Sequence, residues 1–266
     1  MSGLSLLRKR NNSMKYDYNQ KNIVQALKKI GIKKNDVIFC HSDISLLGIP
    51  DCNISDKKFF NFFLNSFFKV LGKDGTVIFP TFTYSFTNKK IYDPLFSKTI
   101  CGFLSACAQK HRLGKLYLDP NLSCVIFGKM KNFFSQNPSK NSYDEKSLFA
   151  RFFETNGKIC NINLDAGSTF LHYLERKLNV DYRFDKIFFG EIKINNIFKK
   201  TFSTIFVKNK NNKKETSFKK FTLLAKNNNF YKKIGLGKGF IGAISAHDCY
   251  SLLQKELTKN SSFLFK

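Results

Sequence analysis

His172 and Glu175 stand three residues apart and are the pair in this chain best suited to proton transfer. An imidazole titrates near neutrality and can take a proton from a nucleophile, and a carboxylate one helical turn on can hold its ring or its tautomer. At about 100° per residue, Phe170, Leu171, Leu174 and Leu178 form one apolar stripe, whereas His172, Glu175 and Arg176 fall on the opposite side of the wheel. His172 is therefore expected off the core face. It stands either in bulk water, as an ordinary surface residue, or in a cleft that other elements wall in.

Three further segments place polar groups where a strand ends. His41-Ser42-Asp43 follows the apolar run Val37-Ile38-Phe39-Cys40, which reads as a buried parallel strand. Ligands of open α/β sheets bind outside the carboxyl ends of strands, so His41 and Ser42 suit such a site; a hydrogen-bonded turn would explain them equally well. Thr81 and Thr83 follow the strand Thr76-Val77-Ile78-Phe79 and set two hydroxyls at the same rim. Asp119-Pro120-Asn121-Leu122-Ser123 adds a polar turn of a kind common without any function.

The elements that must position these groups alternate. Asn22 to Ile30 reads as an amphipathic helix stopped by Gly31, and Ser55 can cap a second helix through Leu71 with Phe59, Phe60, Phe63 and Phe67 on one face. Thr99 to Arg112 reads as a helix, and Ser123 to Phe127 and Gly157 to Ile162 as strands, the last leading into the His172 helix. Helix and strand in alternation predict an α/β domain: a central, mostly parallel sheet with flanking helices. Beyond Arg183 short β-like runs around Asn195-Asn196 predict a hairpin in a β-rich C-terminal elaboration. Residues 1–13 read as a flexible N-terminal extension, with Met14 as the natural start, and residues 14–266 as one domain.

Composition narrows the classes. The 266 residues carry 45 Lys and Arg against 19 Asp and Glu, a formal charge of +26, which favours anionic partners. The basic residues are dispersed, and the one dense run, Lys208 to Lys214, reads as a solvated loop, so a nucleic-acid-binding protein is the weaker account of the charge. No run of about 18 apolar residues suggests a membrane span, and no secretory leader is recognisable, which points to the cytoplasm. The seven cysteines are scattered and read as reduced core thiols. Cys101, Cys107 and His111 match no zinc spacing, so no metal is expected. Gly237-Lys238-Gly239-Phe240-Ile241-Gly242 fits a GxGxxG pattern, but no clear strand precedes it; a flexible loop is expected there, without a dinucleotide.

Taken in order, His41-Ser42-Asp43 with Leu47-Gly48, Gly72 with Gly75-Thr76-Val77-Ile78-Phe79-Pro80-Thr81, Asp119-Pro120 with Ser123, and Thr169 with His172 and Glu175 resemble the motifs of the aminoglycoside 3-N-acetyltransferase family, over roughly residues 19–192. The resemblance implies acyl transfer from acetyl-coenzyme A, as cosubstrate, to an amine on a sugar. By it His172 is the base, and Glu175 either fixes its tautomer or holds the substrate ammonium. His41, Ser42, Thr81 and Ser123 are then expected at the thioester and pantetheine, and Asp43, Thr83 and Asp119 on the acceptor side. Resistance-type members carry Arg-Ser-x-His-Pro where this chain has Leu116-Tyr117-Leu118-Asp119-Pro120, and a charge of +26 repels a polycationic drug. The favoured acceptor is therefore a nucleotide-linked amino sugar of surface-polysaccharide or glycan biosynthesis, with aminoglycoside resistance as the alternative; a homodimer is compatible with either.

Overall fold

The computed structural model describes residues 16–52, 55–209 and 215–265. The extension expected over residues 1–13, and most of the basic run ending at Lys214, lie outside them. The chain order is α1 (Gln20–Lys29), β1 (Val37–Ser42), α2 (Asp56–Leu71), β2 (Thr76–Pro80), α3 (Phe103–Gln109), β3 (Lys115–Tyr117), β4 (Cys124–Gly128), α4 (Lys131–Ser135), α5 (Leu148–Glu154), β5 (Lys158–Ile162) and α6 (Leu171–Lys177). It continues through β6 (Arg183–Ile194), β7 (Ile197–Lys208), α7 (Lys219–Asn227), β8 (Lys232–Leu236), β9 (Gly239–Ser245) and α8 (Ala246–Lys259).

The α/β sheet with flanking helices and a β-rich C-terminal part is as expected, but strand direction differs from expectation. The seven-stranded sheet runs β3-β4-β2-β1-β5-β9-β8, and only β1 with β2 and β1 with β5 pair in parallel; β4, β3, β9 and β8 join antiparallel. The physical reason is that an apolar run reports burial on both faces, not direction. Antiparallel β4 reads Cys-Val-Ile-Phe and is as buried as β1, because helices cover both sides of the sheet. On one face Ile38, Cys40, Val77, Phe79 and Phe127 pack with the Phe-rich side of α2 and with α1 and α3. On the other Phe39, Ile78, Ile126 and Ile159 pack against α5, α6 and α8.

β6 and β7 form a separate two-stranded ribbon, with register Ile194 to Ile197 around Asn195 and Asn196. Both asparagines have positive φ, 49° and 63°, which suits the two-residue turn of a right-twisted hairpin. The GxGxxG segment is a second hairpin and not the expected loop: β8 precedes it, and Gly237-Lys238 is the turn into β9. Gly237 (φ +57°) crosses so near the β1 exit loop that an added Cβ would lie 2.2 Å from the Leu47 carbonyl oxygen, while the Lys238 N–H donates to that oxygen at 3.0 Å. Gly237 answers close backbone approach, and Gly239 and Gly242 the close approach of the Asn163 and Tyr231 side chains. Gly237→Ala is accordingly expected to cost about 1–3 kcal/mol, seen as a lower urea midpoint; an unchanged midpoint would mean that the two loops are free to part.

Candidate active site

The segment from β5 to α6 carries His172 and Glu175. Asn161 on β5 donates through Nδ2 to the carbonyls of Asp165 and, at 3.0 Å, Gly167, so the loop is folded back on the strand before α6 begins. The His172 N–H then donates to the Thr169 carbonyl at 3.1 Å. The imidazole lies between the Tyr143 ring, met edge-on at 6.1 Å between centroids, and the Phe218 ring at 5.7 Å, and it is 21% exposed. Its Nδ1 is hydrogen-bonded to Glu175 Oε2. A carboxylate can only accept, so Nδ1 carries the proton and Nε2 keeps its lone pair.

Glu175 is where helical periodicity misleads. The wheel put it opposite the core stripe, and its side chain is 0% exposed. Tyr182 O–H donates to Oε1 at 2.8 Å, and Arg183 Nε stands 2.9 Å from Oε2. Burial pushes the Glu175 carboxyl up, but His172, Arg183 and the Tyr182 hydroxyl together outweigh it and hold the group below the usual carboxylate range. Such a carboxylate is ionised at neutral pH and sealed from solvent. Both of its oxygens are taken up by groups of the protein.

His41, Ser42 and Asp43 line a cleft of about 710 Å³ together with Phe82, Tyr84 and Thr169. Gly102 (φ +86°), the cap before α3, closes one side of it, and an added Cβ there would meet the Ser42 carbonyl at 3.3 Å. Thr169, one of its lining residues, stands one turn before His172 in the chain. His41 Nε2 is 3.0 Å from Ser168 Oγ, and its ring packs on Phe39. Burial lowers its pKa to about 4, so at neutral pH it is a neutral hydrogen-bonding group and a weak base. Ser42 Oγ is buried with no hydrogen-bond partner among the described residues, a hydroxyl available to a ligand. The Asp43 carboxylate accepts from the backbone N–H (3.1 Å) and the hydroxyl of Ser45.

The other six sequence candidates, His172 and Glu175 among them, are not lining residues of this cleft. Thr81 is buried and its hydroxyl donates to Ser123 Oγ at 3.2 Å, while Ser123 Oγ donates to the Thr81 carbonyl at 2.7 Å. Thr83 donates to the Pro120 carbonyl at 2.9 Å. Asp119 is buried and accepts from the N–H groups of Asn121 (2.8 Å) and Leu122 (3.0 Å) and from Ser142 Oγ (2.6 Å); burial raises its pKa against those bonds. Thr81 and Ser123 thus satisfy each other, while Thr83 and Asp119 are taken up by neighbouring backbone groups and by Ser85 and Ser142. Conversely Tyr182, Arg183, Tyr143 and Phe218 frame the base and were not picked out as site residues. A Tyr-Arg pair seven and eight residues after a carboxylate was the available signal. Among the described residues no three His, Cys, Asp or Glu side chains converge on a metal site.

Solved structures with this fold include aminoglycoside acetyltransferase AAC(3)-IVa as apoenzyme, 17% identical over 95% of this chain and 93% of that one, TM-score 0.75. AAC-IIIb in a binary complex with coenzyme A is 15% identical over 91% and 96%, TM-score 0.74. The YokD protein of Bacillus subtilis is 16% identical over 91% and 99%, TM-score 0.73. No curated protein matches the chain in sequence. The class so defined is coenzyme A-dependent N-acyl transfer. The profile described as aminoglycoside 3-N-acetyltransferase matches residues 39–258, and the chain belongs to that family.

Two consequences can be measured. Glu175→Ala leaves the Arg183 guanidinium, 7% exposed, without its carboxylate, and is expected to cost about 3–5 kcal/mol by chemical denaturation; a loss well under 1 kcal/mol would show that the pair is solvated. His41, with burial lowering its folded pKa to about 4 from the ordinary histidine value of 6.5, binds fewer protons folded than unfolded across that window. Its contribution is complete above 6.5 and lost as pH falls toward 4, so His41→Asn should flatten the rise of stability between those values. A rise as steep as in the parent would remove His41 as its source.

Proposed function

We propose that the protein moves an acetyl group from acetyl-coenzyme A to the amine of an amino sugar, with His172 as the base. The observation that carries this is the His172–Glu175 pair, backed by Arg183 and Tyr182, with Thr169, one turn earlier in the chain, lining a cleft. The acceptor amine gives a proton to His172 Nε2 and its lone pair attacks the thioester carbonyl; the C–N bond forms, the C–S bond breaks, and the proton passes to the leaving thiolate. Glu175 holds the proton on Nδ1 and stabilises the imidazolium while it exists. Ser42, with its unpartnered hydroxyl, and the neutral His41 serve the donor end, with the Ser42 hydroxyl suited to the developing oxyanion. Asp43 stands on the acceptor side at the rim.

Two acceptors compete. The family, and structures such as AAC-VIa solved with sisomicin bound, support an aminoglycoside and hence antibiotic resistance. The nucleotide-linked amino sugar draws on a different observation: Asp43 is the one carboxylate among the described residues lining the cleft, Ser45 already occupies it, and the whole chain carries +26. A polycation gains little from such a rim, whereas a diphosphate is attracted to the protein.

The test is thiol release from acetyl-coenzyme A with a panel of aminoglycosides and nucleotide-linked amino sugars. Turnover with either set identifies the acceptor; silence across the panel, with no binding of coenzyme A, would overturn the reading. His172→Ala is expected to lower kcat by at least about 10²-fold while coenzyme A binding, followed by calorimetry, stays within a factor of two or so. Retained turnover would remove His172 as the base.

A further inference from the structure

The loop that follows β2 turns at residues 93–97 and presents two large apolar side chains to solvent: Leu95 is 71% exposed and Phe96 81%. This turn is held at three points. Tyr92, wholly buried, adds to the edge of β6, its N–H donating to the Glu191 carbonyl at 2.9 Å and its carbonyl accepting from the Lys193 N–H at 2.9 Å. Asp93 Oδ1 accepts from the N–H groups of Leu95 (3.0 Å) and Phe96 (3.2 Å). Gln109, the last residue of α3, donates through Nε2 to the Pro94 and Ser97 carbonyls at 3.3 and 2.8 Å. A fixed backbone therefore sets both side chains outward.

The tip of the β6/β7 hairpin stands beside this turn. Lys193 Nζ lies 3.8 Å from Asp93 Oδ2 and 5.9 Å from the centre of the Phe198 ring, so one side chain spans from the turn to the hairpin. Ile194, Ile197 and Phe198 are exposed there, Ile197 at 72%. Single exposed apolar residues are ordinary on a protein surface, but five large ones on two adjoining turns are not. In the same two segments, residues 89–98 and 191–200, Lys89, Lys90, Lys98, Lys193, Lys199 and Lys200 stand against two carboxylates, Asp93 and Glu191. Apolar side chains at turn tips among an excess of lysine suit an anionic lipid surface, which takes up the first and attracts the second. A second copy of this chain would instead bring six lysines against six in a two-fold contact. Single-stranded nucleic acid stacks on aromatic faces, whereas three of these five side chains are aliphatic.

We propose that the 93–97 turn and the β6/β7 tip form a docking surface for an anionic lipid bilayer, with Leu95, Phe96, Ile197 and Phe198 entering the headgroup layer and the lysines meeting lipid phosphates. Burial of apolar area and attraction to the lipid charge act together, and the second is screened by salt. The backbone of the turn is ordered before contact, so little freedom is lost on insertion. Docking does not rest on the acyl-transfer reading, but its use does. Ile100, four residues after Phe96, lines the cleft, and four residues span at most about 14 Å. A docked bilayer thus lies beside the cleft, within reach of an acceptor held at the lipid surface.

The chain contains no Trp, so Phe96→Trp gives a single reporter at the turn, and Leu223→Trp, at an exposed leucine of α7, gives a control. With vesicles of phosphatidylglycerol and phosphatidylcholine, the Phe96→Trp emission is expected to shift to the blue and to be quenched by lipids brominated on their acyl chains; Leu223→Trp should do neither. In cosedimentation with the same vesicles, the double variant Leu95→Ser, Phe96→Ser should lower the partition coefficient at least about tenfold. Lys199→Glu, Lys200→Glu should lower it severalfold at low salt, and Lys28→Glu, Lys29→Glu, an equal change of net charge on exposed residues of α1, much less. An unshifted Phe96→Trp on protein that sediments with vesicles would reduce the binding to adsorption of a chain of +26 and overturn the proposal, as would equal losses in the α1 variant or no binding. A blue shift that grows with protein concentration without vesicles, together with a dimer in analytical ultracentrifugation, would assign the patch to a second copy and overturn it as well. Thiol release without vesicles tests the acyl-transfer reading alone, and the Leu95→Ser, Phe96→Ser chain should match the parent in it.

Discussion

The buried carboxylate of Glu175 is the constraint from which the arrangement of the base follows. A charge taken fully out of water must be paired and hydrogen-bonded or it neutralises. Its three partners come from α6 and from the turn into β6: His172, Tyr182 and Arg183. Arg183 opens the ribbon, so the demand for a counter-ion ties the root of the β6/β7 hairpin to the helix that carries the base. The Arg183 guanidinium also reaches the Phe206 carbonyl on β7 at 3.3 Å and Thr216 Oγ1 at 3.4 Å. One ion pair thus holds helix, hairpin and the segment before α7 in a single relative position, with Phe218 set against the imidazole.

That constraint explains what the amino-acid sequence could and could not convey. A helical wheel divides residues into a core side and a solvent side, and α6 has no solvent side at Glu175, because the hairpin covers it. Periodicity therefore placed His172 off the core stripe correctly and read Glu175 as its neighbour on an open face. The buried strands β1, β2 and β5 were legible as apolar runs bounded by turn residues, and the Asn195-Asn196 hairpin from its turn chemistry. Strand direction was not, since burial on both faces writes the same residues into parallel and antiparallel strands. The helix expected over Thr99 to Arg112 is confined to Phe103–Gln109. Gly102 in a left-handed conformation stops it from starting earlier, and that break puts residues 100–102 at the cleft.

Strand ends were a sound guide to where polar residues gather and a poor guide to what they touch. β1 delivers His41 and Ser42 to the cleft, whereas the hydroxyls after β2 and before β4 turn toward each other across an antiparallel pair. A rim hydroxyl that meets another hydroxyl at the end of a neighbouring strand is satisfied there; one that stands level with an apolar residue, as Ser42 does with Ile162 at the end of β5, is not. Ser42 is of the second kind and Thr81 of the first. Only the sheet order, in which β2 lies between β1 and β4, separates them.

The two histidines of the site show how environment divides labour between chemically identical groups. His41 sits on Phe39 with a serine hydroxyl at hydrogen-bond distance, and burial alone acts on it, so its charged form is disfavoured. His172 instead has a carboxylate on Nδ1 and stands between two aromatic rings. The Glu175 charge is matched by Arg183 within the protein, so none of it projects into the cleft as attraction for a cation. Selection among charged acceptors must then arise at the rim and in the long-range field, where the excess of lysine and arginine acts, and not at the base.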